Sequence, residues 1–390
     1  MRAVFLLQTD PFHPKPALRA LREAETLRDW GWDVSFVAWI KSEAPPPQGP
    51  SAFRVRRVHA PVPLLGEGLL RRGLAFLRAT RDLATAATDE APDLLVAHDF
   101  EVLRAAVAAK RAARVPLVYD SHEDWPALIA ENSAREARIA GWQERRLAKR
   151  VDHVITVSEP IGAKFRGWKC ETTVLYSARP TSEIHLADRE GSRKALGYED
   201  GDFVVGFAGA LGPGRGLEVL LEALARLPDS VKVLVVGGPA EELEGLRALA
   251  ANRGVAGRVR LDPYRPFAEL APHYAAMDVG VILLDDRPNH RRALPNKLFD
   301  YMGHRVASVV PDYPVLGSLV REHQCGWTVD RVDADSLAQV LRHAQSSGEA
   351  SRRGERGRTA YLEHFAWELQ EATLRDVVAK LKFPAPSAAR

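Results

Sequence analysis

Two cysteines in 390 residues, Cys170 and Cys325, are too few for a disulfide framework or a cysteine-rich metal cluster, and they fit a reducing compartment. No run approaches the ~20 consecutive apolar residues of a membrane-spanning helix. The opening MRAVFLLQTD has an apolar run only from Ala3 to Leu7, too short for the hydrophobic segment of a signal peptide, so a cytoplasmic protein is expected. No internal repeat with a period of about 20 to 50 residues is visible. Two nucleotide signatures are also missing. The first strand-like run is not followed by GxGxxG with an acid about 20 residues on, and the glycine-rich stretch of the second half lacks the Gly-Lys-Ser/Thr of a P-loop. A net charge of +3 gives no sign of a nucleic-acid partner.

What is present is the composition of a soluble globular protein, 46% hydrophobic and 27% charged. The length calls for two domains of about 180 to 200 residues. Strand-like and helix-like runs alternate almost throughout, which predicts an α/β fold with parallel sheets covered by helices on both faces. In the first half the strands read as Val4 to Leu7, Val34 to Ala38, Leu94 to Ala97, Leu117 to Tyr119, Val154 to Val157 and Thr173 to Leu175. The proline-rich SEAPPPQGPSAFRVRR reads as a loop followed by a short extended piece. Ser177 to Asp202 is irregular and polar and reads as an interdomain connection. A second set of strands follows at Val204 to Ala208, Val231 to Val236, Val259 to Leu261, Val279 to Leu284, Val306 to Val310 and Trp327 to Val329, and two helical runs close the chain. Two doubly wound domains facing each other would bind a ligand in strand-to-helix loops at the carboxyl ends of the strands.

The stretch RRALPNKLFDYMGHRVASVV, Arg291 to Val310, carries the most specific local signal. Pro295 and Gly303 are start and stop residues for a helix. On it Lys297, Asp300 and Tyr301 share one face, while Leu298, Phe299 and Met302 share the other, which would pack on a sheet. The first turn with its lysine suits an anion such as phosphate, and Asp300 can accept hydrogen bonds from hydroxyls such as those of ribose. A solvated surface helix with Lys297 and Asp300 in loose contact is the alternative. In GFAGALGPGRGLEVLLEAL, glycines 206, 209, 212, 214 and 216 let backbone approach a ligand, and Arg215 precedes a helix beginning at Leu217. Such glycines also serve tight turns. VLVVGGP, ending in Gly237 and Gly238, is a second glycine exit.

In the first half VPLVYDSHEDWP places Asp120, His122 and Glu123 directly after a strand, and VAHDFEVL does the same with His98 and Asp99. His122 can contact a sugar hydroxyl or a developing positive charge, and a structural histidine is the alternative. Arg54, Arg56, Arg57, Arg71, Arg72, Arg78 and Arg81 lie close together, opposed nearby in sequence by little more than Glu67 and Asp82. That basic segment, 54–81, suits an anionic membrane surface or an anionic substrate, or is simply a solvated face.

The order YDSHE, ITVSEPIGAKF, GFAGALGPGRGLEVLLEAL, VLVVGGP and ALPNKLFDYMG resembles the retaining nucleotide-sugar glycosyltransferases of family four, with the GT-B fold of two facing Rossmann-like domains. The likeness runs from LREAETLRDWGWDVSFV to HFAWELQEATL. It implies an acceptor-binding domain over 1–178, a domain binding a nucleoside-diphosphate sugar over 179–365, and a last helix, 366–383, that crosses back to the first domain. By the resemblance Asp300 holds the donor ribose, Arg215 contacts the diphosphate, and His122 lies near the reacting sugar. Gly209, Gly212, Gly214, Gly238, Leu294 and Asn296 then fall to the donor side, and His98, Asp99, Asp120 and Glu123 to the acceptor side. Two positions depart from the family pattern. Arg292 stands where a sugar-binding Glu is usual, eight residues before Asp300, and Ala210 where an arginine often follows the first glycine. Lys297 could supply the missing phosphate charge, and Arg292 could recognise an acidic or otherwise unusual sugar.

The implied reaction moves a sugar from a nucleoside-diphosphate sugar to an acceptor, a small molecule or a glycan precursor, with retention. It needs no cofactor and no metal: Arg215, Lys297 and helix amides would neutralise the leaving phosphate. No DxD metal motif faces the expected cleft, although Asp285-Asp286 lies near it. A nucleotide-sugar epimerase on the same fold and a nucleotide-sugar-binding pseudo-enzyme are the alternatives, and a dinucleotide-dependent oxidoreductase is the weakest rival.

Overall fold

A computed structural model describes residues 1–13, 16–41, 52–61 and 69–383, with side chains omitted for 69–72. The proline-rich loop expected after Ile40 lies mostly outside the described residues, as do Glu67 and the side chains of Arg71 and Arg72.

Among the described residues thirteen strands form two wholly parallel sheets. The first contains β1 (Arg2–Leu7), β2 (Asp33–Ile40), β3 (Arg54–His59), β4 (Leu94–His98), β5 (Leu117–Ser121), β6 (His153–Thr156) and β7 (Thr172–Val174), in spatial order β3-β2-β1-β4-β5-β6-β7. The second contains β8 (Phe203–Ala208), β9 (Val231–Val236), β10 (Val259–Asp262), β11 (Val279–Val281), β12 (Ala307–Pro311) and β13 (Gly326–Val329), in order β10-β9-β8-β11-β12-β13. The runs Ala3–Leu7 and Val204–Ala208 are buried throughout. Continuous apolar runs of this kind belong to strands covered on both faces.

The chain divides into two compact units. One is Met1–Tyr176 with Glu371–Arg390, and the other is Ser177–Gln370. The helix Trp367–Lys380 therefore begins in the second unit and continues in the first. There Arg375 lies over the Trp30 ring and Thr26 donates to Glu371.

Three sequence expectations change. The extended piece after the proline-rich loop is a full edge strand, β3, paired with β2 from Ser35–Arg54 to Ile40–His59. The polar stretch 177–202 is not a loose connection. It belongs to the second unit and contains the helix Arg189–Ala195, whose Arg189 and Arg193 both bond Asp278. Finally, three α-helices rather than two follow β13: Ala334–Ser347, Ala350–Ala360 and Trp367–Lys380.

In each sheet the chain winds outward in one direction, then returns to the middle and continues the other way. The reversals fall between β1 and β4 and between β8 and β11. Loops leaving the carboxyl ends of strands at such a reversal splay to opposite faces and open a crevice.

Candidate functional site

At the reversal of the second unit, β8 runs into the glycine loop. Gly209, Gly212, Gly214 and Gly216 all have positive φ. Gly216 is the residue most constrained to lack a side chain, because a Cβ there would press on Leu283. Gly212 opens on free space, whereas Gly238 is held against Leu211, so its smallness serves packing. The helix Asn296–Gly303 docks on this loop. Its Tyr301 is fully buried, with its hydroxyl 3.2 Å from the Ala208 amide and 3.3 Å from the Val281 carbonyl. Tyr301 thus pins the helix across the ends of β8 and β11. It does not share an open ligand face with Lys297 and Asp300, contrary to the sequence expectation.

Lys297 leaves the first turn of that helix and crosses to the glycine loop. Its Nζ lies 3.6 Å from the centre of the Phe207 ring and within van der Waals reach of a Cβ built on Gly209. Burial, with Arg215 adding to it, pushes its ammonium down to about 7 against the pull of Asp300. Arg215 is half-buried on the loop. Neither cation has a carboxylate within ion-pair distance among the described residues.

Asp300 is engaged by its own unit: Arg179 Nε donates to its Oδ1 at 3.0 Å. Arg179 also donates to Glu183 and lies 3.3 Å from the centre of the Phe267 ring. His304 Nδ1 is 2.7 Å from the Asp300 carbonyl oxygen, and its ring stacks on Tyr274. Arg292 and Asn296 are exposed, while Leu294 is buried. The carboxylates of Asp285 and Asp286 are drawn into their own loop, Asp285 by Arg287 and His290 and Asp286 by Arg291.

The reversal of the first unit gathers polar groups from four chain segments. Asp120 is fully buried at the end of β5 and accepts from Arg19 at both oxygens, at 2.6 and 2.9 Å. His122 stands two residues on, with Nε2 2.9 Å from Asp120 Oδ2 and 3.1 Å from His98 Nδ1. Asp99 accepts from the His122 amide, Trp125 Nε1 and Gln8 Nε2. It holds φ 69° and ψ 164°, a region nearly confined to glycine that costs another residue about 1–3 kcal/mol. Burial lowers the tendency of His122 to charge, but Asp99 and Asp120 outweigh it and raise the group to about 9. Burial drives His98 the other way, to about 3. His122 is therefore an imidazolium at neutral pH, and neutral His98 accepts at Nδ1. Arg19 and His122 hold Asp120 well below the ordinary carboxylate range despite its burial.

Among the sequence candidates, His122 keeps 27% of its side chain exposed, and Glu123 is half-buried. His98 and Asp120 have no open surface and both face His122, which Asp120 helps to charge. His98, Asp120 and His122 bring three potential metal-ligating atoms together. Arg19 already bonds both oxygens of Asp120. Arg19, Gln8 and Arg179 have no sequence signal marking them. Arg19 and Asp120 are 101 positions apart, and no local motif joins them.

The basic segment is also changed by its partners. Arg54 pairs with Asp33 and Glu90, Arg56 with Asp89 and Arg57 with Asp10. These carboxylates come from other elements, so much of the charge apparent in the linear sequence is neutralised. No helix among the described residues is long and apolar enough to cross a membrane.

Two family models match the chain: a glycosyl transferase 4-like domain over residues 16–175 and glycosyl transferases group 1 over 202–346. A D-inositol 3-phosphate glycosyltransferase of Mycobacterium sp. (strain KMS) is 27% identical over 266 residues, covering 65% of this chain and 57% of the relative. The chain thus spans a little over half the length of that curated relative. One from Thermomonospora curvata is 25% identical over 314 residues, 74% of this chain and 72% of the relative. Among solved structures, sucrose-phosphate synthase from Thermosynechococcus elongatus superposes with a TM-score of 0.78 at 17% identity, over 97% of this chain and 99% of that one. Anabaena HepE in complex with UDP gives 0.75 at 18% identity, over 98% and 100%. At these identities the structural likeness establishes the fold.

Proposed function

This chain belongs to the family-four glycosyltransferases of GT-B fold, and from that membership we propose that it moves a sugar from a nucleoside-diphosphate sugar to an acceptor, with retention of configuration. The observation that carries the proposal is the pair Arg215 and Lys297. Two cations without a carboxylate partner among the described residues meet at a glycine loop, at the reversal of a doubly wound sheet, where a diphosphate is the fitting counter-ion. We assign the donor to the second unit and the acceptor to the first. The UDP and UDP-glucose complexes of Anabaena HepE support a nucleotide-sugar donor.

In this reading the bond from the sugar to the diphosphate breaks while negative charge grows on the leaving oxygens. Arg215 and Lys297 stabilise that charge more in the transition state than in the ground state. The departing phosphate oxygen takes the acceptor's proton, and the acceptor bonds to the same face of the oxocarbenium-like sugar. Cations and amides perform this work without a metal. Asp300 holds the ribose hydroxyls, and His122 as imidazolium donates to a sugar hydroxyl. The test is incubation with a panel of nucleoside-diphosphate sugars and candidate acceptors, with the anomer of donor and product read by NMR. Matching anomers support the proposal, and inverted product rejects retention. A second reading, a pseudo-enzyme that binds nucleotide sugar, is favoured by Arg292 at the position usually given to a sugar-binding Glu. Binding without donor consumption across the panel would support that reading instead.

A further inference from the structure

Asp300 is a single carboxylate on a helix, and an aspartate held by nothing divides its time among rotamers. Arg179 removes that freedom. Its Nε donates to Asp300 Oδ1 at 3.0 Å, and the two side chains are 13% and 14% exposed. Arg179 is in turn held at both of its ends. Nη1 donates to Glu183 Oε2 at 2.7 Å, and the guanidinium carbon lies 3.3 Å from the centre of the Phe267 ring, in the short turn after β10. The Arg179 carbonyl oxygen accepts from the Trp367 amide at 3.1 Å and from the Tyr361 hydroxyl. Two residues on, the Thr181 amide and hydroxyl both donate to Glu368 Oε1, at 2.8 and 2.6 Å. All of these groups belong to the second unit. A planar guanidinium has the shape for this place, since it stacks on a ring while its donors point in fixed directions.

We propose that Arg179 is a positioning residue of the donor site, setting the Asp300 carboxylate in the orientation that accepts the ribose hydroxyls. The inference rests on the assignment of Asp300 to the donor ribose, and it adds the group that makes Asp300 selective. A carboxylate accepts at about four lone-pair sites, so one bound to Arg179 can still accept from hydroxyls. Because Arg179 already holds it, little rotamer freedom is lost on binding, which is worth about 2- to 13-fold in affinity for one side chain. If the same contacts only fastened segment 179–183 to helix Asn296–Gly303, their loss would lower stability and leave ribose selectivity alone.

The test is calorimetric titration of UDP, GDP and ADP, and of the 2′,3′-dideoxy form of whichever binds, into wild type, Arg179→Gln and Arg179→Lys. Wild type should prefer the ribose form by about tenfold or more. In Arg179→Gln the affinity for the ribose form should fall about 5- to 10-fold while that for the dideoxy form stays within about twofold, so the preference narrows. Arg179→Lys keeps the charge without the fork and should lie between. Melting temperatures report whether each variant is folded, and Arg179→Lys carries the comparison if Arg179→Gln unfolds. An unchanged preference in the folded variants overturns the proposal and leaves Asp300 on the ribose. So does a parallel loss of both nucleotides, or a gain for the ribose form, which would show Arg179 competing with the hydroxyls. A wild type that does not distinguish the two forms removes the ribose from Asp300 itself, and the proposal with it.

Discussion

Lys297 and His122 are both half-buried, and their surroundings push them in opposite directions. Lys297, lowered to about 7, sheds its proton near neutrality unless an anion arrives. Binding of a nucleoside-diphosphate sugar should therefore weaken as pH rises through about 7 and take up a proton there, as calorimetry in buffers of different ionisation enthalpy measures. Lys297→Met should flatten that dependence. His122 is raised in the folded state, so its stabilising contribution is complete below its ordinary pKa of about 6.5 and lost as pH climbs through about 9. The difference in unfolding free energy between wild type and His122→Gln should be largest in mildly acidic solution and fade above about 9. Asp300→Asn should cost nucleotide affinity roughly 10- to 150-fold, since hydrogen bonds to a charged group are worth about 1.5 to 3 kcal/mol. A 2′-deoxyribose donor should be penalised in wild type but little further in the variant. Equal penalties in both would remove the ribose from Asp300. Sequence could mark Lys297, Asp300 and His122, because each sits beside a strand or helix boundary with local punctuation. It could not mark Arg19 or Arg179, whose partners lie 101 and 121 positions away.

At the scale of elements, the packing of helix Asn296–Gly303 depends on Gly280. A Cβ there would meet the Tyr301 ring at 2.6 Å, inside any real contact. Gly280→Ala should cost about 1–3 kcal/mol in denaturant unfolding and displace the helix that carries Lys297, so nucleotide affinity falls as well. Loss of stability without loss of affinity would separate the helix from the site. Tyr301 also shows where periodicity falls short. Spacing on the helix put it with Lys297 and Asp300, but a helix wedged between two strand ends buries more than one stripe. The strands themselves were legible, because buried parallel strands are short continuous apolar runs between turn residues. β3 was harder to see, since RVRRVH alternates like an exposed piece and becomes a strand only by pairing with β2. Stretch 177–202 is polar in composition yet folded, because Arg189 and Arg193 find Asp278 far along the chain.

Across the whole molecule, the alternation of elements implied two doubly wound sheets, and strand order adds the two reversals at which the candidate groups collect. Charge followed a different course. Seven arginines in 54–81 drew attention in the linear sequence, yet in the structure carboxylates from other elements pair with three of them. Ion pairing is a property of the folded surface, which composition by segment does not report. The donor-site claim is also a claim about the whole molecule, because a ligand bound only by the folded chain adds its binding energy to stability. Nucleotide at 100 times its dissociation constant should raise unfolding free energy by about 2.7 kcal/mol, read as a shift in thermal unfolding. The most direct test is calorimetric titration of UDP, GDP, dTDP and ADP into wild type and into the Arg215→Ala, Lys297→Ala double variant. One nucleotide should bind the wild type, and the double variant should bind it at least about 100-fold more weakly, as expected for the loss of two charged contacts. Binding of none of the four, or binding undiminished in the double variant, would contradict the assignment of these two cations to a diphosphate.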